Sequence, residues 1–185
     1  MLYLPPRPQP LASSIKDFNI IKQIGQGAFG QVFKATLKKN AGQVFAIKKV
    51  KNNLKIKLRR LSRSDISNIE NEINIHINLN NKFVIKLFDF FQEDNAVFMI
   101  LEYCPNGNLF NYLNRKRKLP TEEIKKFFFQ TVLAIDYIHS NEVILRDLKP
   151  ENILLDNDFN VKSKYRFKYL YERVFFKTSY LLSFF

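Results

Sequence analysis

The chain has 185 residues, 46% of them hydrophobic and 15% aromatic, a composition that suits one domain with a substantial core and excludes an intrinsically disordered chain. A single cysteine, Cys104, excludes an internal disulfide framework, and two distant histidines without neighbouring cysteines argue against a zinc site. No apolar run reaches the length of a membrane span and no signal pattern is visible, so we expect an intracellular protein, cytoplasmic or nuclear.

The net charge of +13 is concentrated in two places. Eight basic residues and no acidic residue lie from Lys48 to Arg63, and residues 161–185 hold six basic residues and one acidic residue. Such an excess can attract nucleic acid, anionic lipid or an acidic substrate. Because no nucleic-acid-binding motif accompanies the charge, we favour a solvated connector and an atypical tail. A basic nucleic-acid-binding module remains a minor alternative.

Prolines at positions 5, 6, 8 and 10 predict a flexible, extended tail over residues 1–17. Three β-branched or aromatic runs follow it, at 18–24, 31–37 and 43–50, and predict antiparallel strands. A helix is predicted over 65–79, where Ser67 and Glu70 have the form of a capping box. Two more strands, at 83–92 and 96–103, complete a predicted α+β lobe with a five-stranded antiparallel sheet and one helix.

The second half of the chain predicts a hinge at 105–108, a short helix at 109–113 and a short strand at 153–155. The longest helix is predicted to begin near Thr121, which would be its N-cap, with two glutamates in the favourable first turn. Its apolar positions predict one buried face. These positions are Ile124, Phe127, Phe128, Val132, Leu133, Ile135 and Ile138.

The first candidate for chemistry is the glycine loop at 25–30, in which Gly25, Gly27 and Gly30 have the spacing G-x-G-x-x-G. A dinucleotide-binding fold would continue into a helix with an acid some 20 residues on, but a strand follows here and residues 31–64 contain no acid. A glycine loop between antiparallel strands can instead cover a triphosphate with its backbone N–H groups. The alternative is a merely tight hairpin.

Lys48 ends the apolar run Ala46-Ile47-Lys48 on the third predicted strand. Its ammonium can hold phosphates if a carboxylate on the following helix fixes its rotamer. Glu72 is the first candidate for that carboxylate and Glu70 the second. Taken alone, Lys48 can equally be an exposed strand lysine.

The loop at 145–152 carries the most informative spacing in the chain. Asp147 can accept a hydroxyl proton and orient a nucleophile, Lys149 can neutralise a transferring phosphoryl group, and Asn152 can ligate a magnesium ion. The three constellations, in this order, predict phosphoryl transfer.

With these motifs, the hinge run 100–103 and the sequence Asp147-Leu-Lys-Pro-Glu-Asn152, the chain resembles the eukaryotic protein kinase family from about Phe18 to Lys162. The lysine two residues after Asp147 is similar to the serine/threonine type, and the hinge and long helix are most similar to calmodulin-dependent or Aurora-like groups. The resemblance implies a tail at 1–17, an N-lobe at 18–102, the hinge and a partial C-lobe at 103–162, and a divergent basic, aromatic tail at 163–185. It also implies a C-terminally truncated kinase domain.

The resemblance further implies that ATP with Mg²⁺ binds between the lobes and that a protein serine or threonine accepts the phosphate. Leu101 would be the gatekeeper, and backbone groups of Glu102 and Cys104 would bond the adenine edge. The implied nucleotide-binding residues also include Ile24, Gly25, Gly27, Gly30, Val32, Ala46, Lys48 and Leu154. Asp147, Lys149, Lys48 and Glu72 would be catalytic, and Asn152 would bind the metal. Asn108 stands where many relatives have an acid for the ribose, and Glu151 resembles a position that favours basic peptide substrates.

Two departures from the family pattern predict impaired activity. Leu145 stands where relatives have a histidine that packs under an Asp-Phe-Gly segment. That segment itself is replaced by residues 163–169, and no Asp follows Asp158 in the sequence. Asp156 and Asp158 lie in a turn from which neither is expected to reach the phosphates. The alternative function is a non-catalytic, nucleotide-binding pseudokinase or scaffolding fragment, and the tail is interpreted either as a covering helix or as sequence out of the family frame.

Overall fold

The amino-terminal half of the described chain is built on an antiparallel sheet. The computed structural model describes residues 10–27, 30–51, 63–145, 147–164 and 167–169. Five strands lie in the order β1-β2-β3-β5-β4. Their bounds are β1 Phe18–Gly27, β2 Gly30–Leu37, β3 Asn40–Lys51, β4 Leu87–Glu93 and β5 Ala96–Glu102. The predicted α+β class with a five-stranded antiparallel sheet is confirmed.

Alternation along β3 and β5 gives the sheet two apolar faces, because successive side chains of a strand point to opposite sides. Ala46, Met99 and Leu101 belong to one buried cluster, whereas Phe45 and Ile100 belong to another. Helix α1 (Arg63–His76) covers the first face through Ile69 and Ile73. The predicted capping box at Ser67 is wrong, since Ser67 lies inside this helix. The basic connector at 52–62 lies outside the described residues.

The second face of the sheet is covered by residues 11–17, which the sequence predicts to be part of a flexible tail. Ala12 is buried there with Leu11 and Ile15 against it. The backbone N–H groups of Leu11 and Ala12 donate to Oδ2 of Asp89 at 2.7 and 3.2 Å, and that of Ile15 donates to Glu93 at 2.7 Å. A 3₁₀ turn over Ile15–Asp17 then leads into β1. The prediction of a flexible tail is therefore wrong for residues 11–17, because two carboxylates distant in sequence bind their backbone. Residues 1–9 of that tail lie outside the described part.

The second half contains helices α2 (Leu109–Lys116) and α3 (Thr121–Ser140) and four short strands. β6 (Val143–Leu145) pairs with β9 (Phe167–Tyr169), and β7 (Ile153–Leu155) pairs with β8 (Val161–Ser163), both antiparallel. The predicted divergent tail at 163–185 thus contributes Ser163 to β8 and all three residues of β9. Residues 165–166 and 170–185 of that tail lie outside the described residues.

Helix α3 begins at Thr121, so Pro120 rather than Thr121 occupies the N-cap position. Its fully buried residues are Phe127, Ala134 and Ile138. The predicted buried face is wrong for Ile124 and Phe128, which are 52% and 53% exposed. Ile124 lies in the first turn, and Phe128 is rotated about 100° from Phe127 around the helix axis. Among the described residues, no helix is both long and apolar enough to cross a membrane.

The two halves meet where the end of α1 and the loop after it contact α3. Ile75 and Phe83 pack with Ala134 and Ile138 of α3 in one buried cluster. The backbone N–H of Asn80 also donates to the Tyr137 hydroxyl at 2.9 Å. Val143 belongs to the same cluster and Leu145 packs against it, so the contact region adjoins the start of the loop at 145–152.

Candidate active site

The predicted glycine loop lies at the end of the β1–β2 hairpin. Gly27 pairs with Gly30 across it and Gly25 pairs with Val32, while positions 28 and 29 lie outside the described residues. Gly30 has a φ of +139°, and a Cβ there would lie 2.0 Å from the Lys49 carbonyl oxygen. Only glycine fits that position. A Cβ on Gly27 would meet nothing within 4 Å. Contact of these glycines with phosphates stays a prediction.

Lys48 and Glu72 form an ion pair between the sheet and α1. Lys48 lies on β3 between Val32 of β2 and Met99 of β5. Its Nζ is 2.6 Å from Oε1 of Glu72, and the two side chains are only 17% and 23% exposed. Lys48 is therefore not an exposed strand lysine, and its carboxylate partner is Glu72. Because both side chains are largely buried, solvent screens the attraction between their charges less than it screens that of a surface ion pair.

The loop after β6 brings Asp147, Lys149 and Asn152 together. Nδ2 of Asn152 donates to the backbone oxygen of Asp147 at 2.8 Å and to its Oδ2 at 2.9 Å. The Lys149 ammonium lies 2.8 Å from the same Oδ2. A 3₁₀ turn over Pro150–Asn152, with proline at its start, returns the chain toward Asp147 and makes these contacts possible. The catalytic roles of these three side chains stay predictions.

The predicted adenine-lining residues share one apolar cluster at the hinge. Ala46, Leu101 and Cys104 are buried in it, and Val32 and Leu154 pack against it. The hinge is tied to β7, because the Leu155 N–H donates to the Gly107 carbonyl at 2.9 Å. Ile24, the remaining predicted lining residue, lies on β1 and is 41% exposed. The structure therefore brings together four of the five apolar side chains predicted for the adenine pocket, and Cys104, predicted to bind through its backbone, lies in the same cluster.

Hinge side chains are engaged in contacts of their own. Burial, followed by the nearby charge of Glu102, raises the pKa of the Cys104 thiol to about 12, so it stays protonated at neutral pH. Glu102 contacts Lys162 of β8 at 2.7 Å. Asn108, which stands at the expected ribose position, caps α2 by accepting the Asn111 N–H at 2.8 Å. Glu151 is exposed.

The residues around Asn152 do not fit a magnesium ion. Magnesium is bound through oxygen ligands that include at least one carboxylate in most protein sites. Within the described part of the chain, no three His, Cys, Asp or Glu side chains are grouped so that they could hold a metal. Asp156 is used in its own turn, where Oδ1 accepts the N–H groups of Asp158 and Asn160 at 2.9 and 2.8 Å. The carboxylate that contacts Asn152 is that of Asp147, and its Oδ2 is already engaged by Asn152 Nδ2 at 2.9 Å and by the Lys149 ammonium at 2.8 Å. The second carboxylate, expected from Asp-Phe-Gly, is absent, because no Asp follows Asp158 in the sequence.

Leu145, at the position where the family resemblance leads us to expect a histidine, takes part in apolar packing. It lies at the end of β6, opposite Phe167 of β9, and packs against the cluster that joins the two halves. Its side chain fills space and offers no hydrogen bond. Leu145 therefore contributes apolar packing at this position.

Lys164 is the residue of this site that the sequence did not single out. It follows β8, and its N–H donates to the Asn152 carbonyl at 2.8 Å. Burial lowers the pKa of its ammonium, the charge of Lys48 lowers it further, and the charge of Glu72 raises it. The sequence offers one signal for it, since Lys164 lies in the segment 163–169 that replaces the expected Asp-Phe-Gly.

The fold and this site define a class of protein. A comparison with protein families matches residues 18–164 to the protein kinase domain, and the chain belongs to that family. The match extends two residues beyond the Lys162 limit expected from the sequence, and so includes Lys164.

The relatives specify the kinase type. Over 145 residues the chain is 37% identical to NUAK family SNF1-like kinase 1 of Homo sapiens, a match that covers 78% of this chain and 21% of that protein. It is 37% identical over 150 residues to the probable serine/threonine protein kinase IREH1 of Arabidopsis thaliana, covering 81% and 11%. It is 36% identical over 151 residues to the carbon catabolite-derepressing protein kinase of Candida glabrata, covering 81% and 23%. The predicted serine/threonine kinase resemblance is confirmed, and the chain spans at most about a quarter of the length of these three relatives.

Proposed function

We propose that this chain binds ATP in the cleft between its two halves and transfers the γ-phosphate to a protein serine or threonine at a strongly reduced rate. The observation that carries the proposal is the 2.6 Å ion pair between Lys48 and Glu72. A strand lysine held by a helix carboxylate is what a phosphate-binding ammonium needs, and a surface lysine needs no such partner. Membership of the kinase family supports ATP as the nucleotide and a protein as the substrate.

The roles follow from the position of each group. Ile24, Val32, Ala46 and Leu154 enclose the adenine, and backbone groups of Glu102 and Cys104 bond its edge. The glycine loop and Lys48 hold the phosphates. Asp147 accepts the proton of the substrate hydroxyl, and Lys149, 2.8 Å from Asp147, neutralises charge on the phosphoryl group as it moves. The exposed Glu151 favours a basic residue in the substrate.

We attribute the reduced rate to the absence of the Asp-Phe-Gly carboxylate, because the Asp147 carboxylate that contacts Asn152 is already paired with Lys149. Protein kinases use ATP with a divalent metal, which neutralises charge developing between the phosphates. Because the described residues do not fit that ion, charge at the β- and γ-phosphates is met by ammonium groups alone. Nucleotide binding needs only the cleft, and fast transfer needs the ion as well. The same observation favours a second candidate, a nucleotide-binding pseudokinase or scaffold without any transfer.

The first experiment tests binding. Isothermal titration of the chain with ATP is expected to show one site, and Glu72→Gln is expected to weaken the affinity roughly tenfold because the Lys48 ammonium loses its partner. Glu70→Gln is the matched control, since Glu70 is the other glutamate of α1 and the ion pair of Lys48 is with Glu72. Equal affinities in the two variants, or no binding by the unaltered chain, would contradict the proposal.

The second experiment tests transfer. Radiolabelled ATP is incubated with a basic serine-containing peptide, and incorporation is compared between the unaltered chain and Asp147→Asn. We expect slow incorporation that Asp147→Asn abolishes. Incorporation at the rate of a fully active kinase would overturn the reduced-rate part of the proposal. Incorporation that is equal in both proteins would instead support the non-catalytic candidate.

A further inference from the structure

Lys164 is placed beside the active-site loop by backbone hydrogen bonds on both sides of β8. The residue before it, Ser163, donates its N–H to the Phe83 carbonyl at 2.7 Å and accepts the Ile85 N–H at 3.0 Å. Lys164 then donates its own N–H to the Asn152 carbonyl at 2.8 Å. Its position is fixed relative to the sheet and to the residue that was predicted to hold the metal.

The Lys164 side chain is half-buried and lies within the electrostatic range of the Lys48–Glu72 pair. Burial lowers the pKa of the ammonium, the charge of Lys48 lowers it further, and the charge of Glu72 opposes both by raising it. Within the described residues, no carboxylate lies within ion-pair distance of its Nζ. A half-buried ammonium without a carboxylate at contact distance is costly, and an anionic ligand would remove much of that cost.

Lys164 makes the charge balance of these groups positive. Lys48 with Glu72, and Lys149 with Asp147, form two pairs that are each neutral overall. Lys164 adds one positive charge to these four groups. A site with net positive charge repels a divalent cation and attracts a triphosphate. The chain therefore lacks the carboxylate expected from Asp-Phe-Gly and has the ammonium of Lys164 in the same segment.

We infer that this site binds nucleoside triphosphate as the metal-free anion, with the Lys164 ammonium supplying the positive charge that a divalent cation supplies elsewhere in the family. The inference rests on the proposed function, because it takes the cleft to be a nucleotide site. It specifies the form of the ligand: free ATP, rather than its magnesium complex, is what binds. Lys48, Lys149 and Lys164 would surround its phosphates.

The experiment compares metal-free and magnesium-bound ligand on the whole 185-residue chain. ATP and adenosine are each titrated by calorimetry, once in excess EDTA and once in excess magnesium chloride. We expect ATP to bind in EDTA at least as tightly as in magnesium. Adenosine, which carries no phosphate, is expected to bind equally in both.

Variants at position 164 assign the effect to the ammonium. Lys164→Met keeps the length of the side chain and removes its charge, so ATP affinity in EDTA should fall roughly tenfold, by the loss of one close charge pair, while adenosine affinity stays the same. Lys164→Arg should retain the affinity. Lys125→Met is the matched control, since Lys125 lies on α3 with 67% of its side chain exposed. Thermal unfolding of each variant verifies that it is folded.

The outcomes separate this inference from the proposed function. Binding of ATP only in magnesium, or equal ATP affinities for Lys164→Met and the unaltered chain, would overturn the inference and leave the nucleotide site standing. Absence of binding by both ATP and adenosine under both conditions would overturn the proposed function itself. Metal-free ATP binding that Lys164→Met weakens and Lys164→Arg preserves would establish the ammonium as the substitute for the ion.

Discussion

Gly30 is the residue of the glycine loop whose backbone conformation other residues adopt only with strain. Its φ is +139° and the Lys49 carbonyl stands in the place of a Cβ. We predict that Gly30→Ala lowers the free energy of unfolding by about 1–3 kcal/mol, measured by urea denaturation. Gly27→Ala is the matched control, because a Cβ there meets no atom within 4 Å. Similar losses in both variants would show that the hairpin does not have this geometry.

His76 gives the protein a pH-dependent stability. Its Nε2 lies 2.7 Å from the Ile85 carbonyl and must donate to it, since that oxygen can only accept. Burial lowers the pKa of His76 below its usual 6.5, against the opposing effects of the Ile85 bond and of Glu72, and Lys48 lowers it further. A lowered pKa in the folded state means that stability is complete above pH 6.5 and is lost as the pH falls below it.

We therefore predict that the free energy of unfolding falls as the pH is lowered below 6.5, and that His76→Gln reduces that slope. Glutamine retains an N–H donor for Ile85 and does not titrate. Denaturation curves at a series of pH values measure the effect, with His139→Gln, in the last turn of α3, as the control. An unchanged slope in His76→Gln would assign the pH dependence to other groups.

At the scale of single residues, the sequence predicted contacts that follow from local periodicity and missed those that depend on charge in three dimensions. Glu72 was predicted as the partner of Lys48 because helical spacing directs it toward the sheet. The spacing at 147–152 likewise predicted three side chains that the structure brings together. Lys164 carries no periodic signal, and its effect becomes visible only when the distances among its neighbours are known.

At the scale of elements, strands and helices were predicted well and the covering of the sheet was not. Short runs of β-branched, aromatic and other apolar residues identified all five strands of the large sheet, because such residues are enriched in strands. The segment at 11–17 was missed because its order depends on Asp89 and Glu93, more than 70 residues away in sequence. The prolines at nearby positions predict only the local conformation of the segment. They carry no information about its contacts with residues distant in sequence.

Asp89 is the residue that attaches this amino-terminal segment. It is 3% exposed, and besides the N–H groups of Leu11 and Ala12 it accepts that of Phe90 at 2.8 Å. We predict that Asp89→Ala lowers the free energy of unfolding by about 1–3 kcal/mol, because buried donors lose their acceptor. Asp136→Ala, on an exposed position of α3, is the matched control and should have little effect.

A thermodynamic cycle tests whether Asp89 acts through the segment. Deletion of residues 1–12 removes the Leu11 and Ala12 donors, so Asp89→Ala should cost less in the shortened chain than in the whole one, by about 1 kcal/mol. Urea denaturation of the four proteins measures the difference. Additive effects would show that Asp89 stabilises the sheet independently of residues 11 and 12.

At the scale of the whole molecule, the described second half leaves part of α3 exposed. Phe128 and Phe129 are 53% and 57% exposed, and Ile124 is 52% exposed. Phe127, by contrast, is buried and packs edge-on against Tyr112 with ring centroids 5.8 Å apart. Adjacent residues of this helix therefore differ in environment. Phe127 stabilises the fold, whereas Phe128 and Phe129 expose apolar surface to solvent.

Exposed apolar surface of this kind promotes association between molecules. We predict that the unaltered chain self-associates as its concentration rises, and that Phe128→Ser with Phe129→Ser reduces this association while leaving the unfolding temperature nearly unchanged. Sedimentation equilibrium at several concentrations measures the first quantity and thermal unfolding the second. Phe127→Ala provides the contrast, with an expected loss of about 3–5 kcal/mol because a buried ring leaves a cavity. If the double variant instead unfolds as readily as Phe127→Ala, then Phe128 and Phe129 belong to the core and the association must come from another surface.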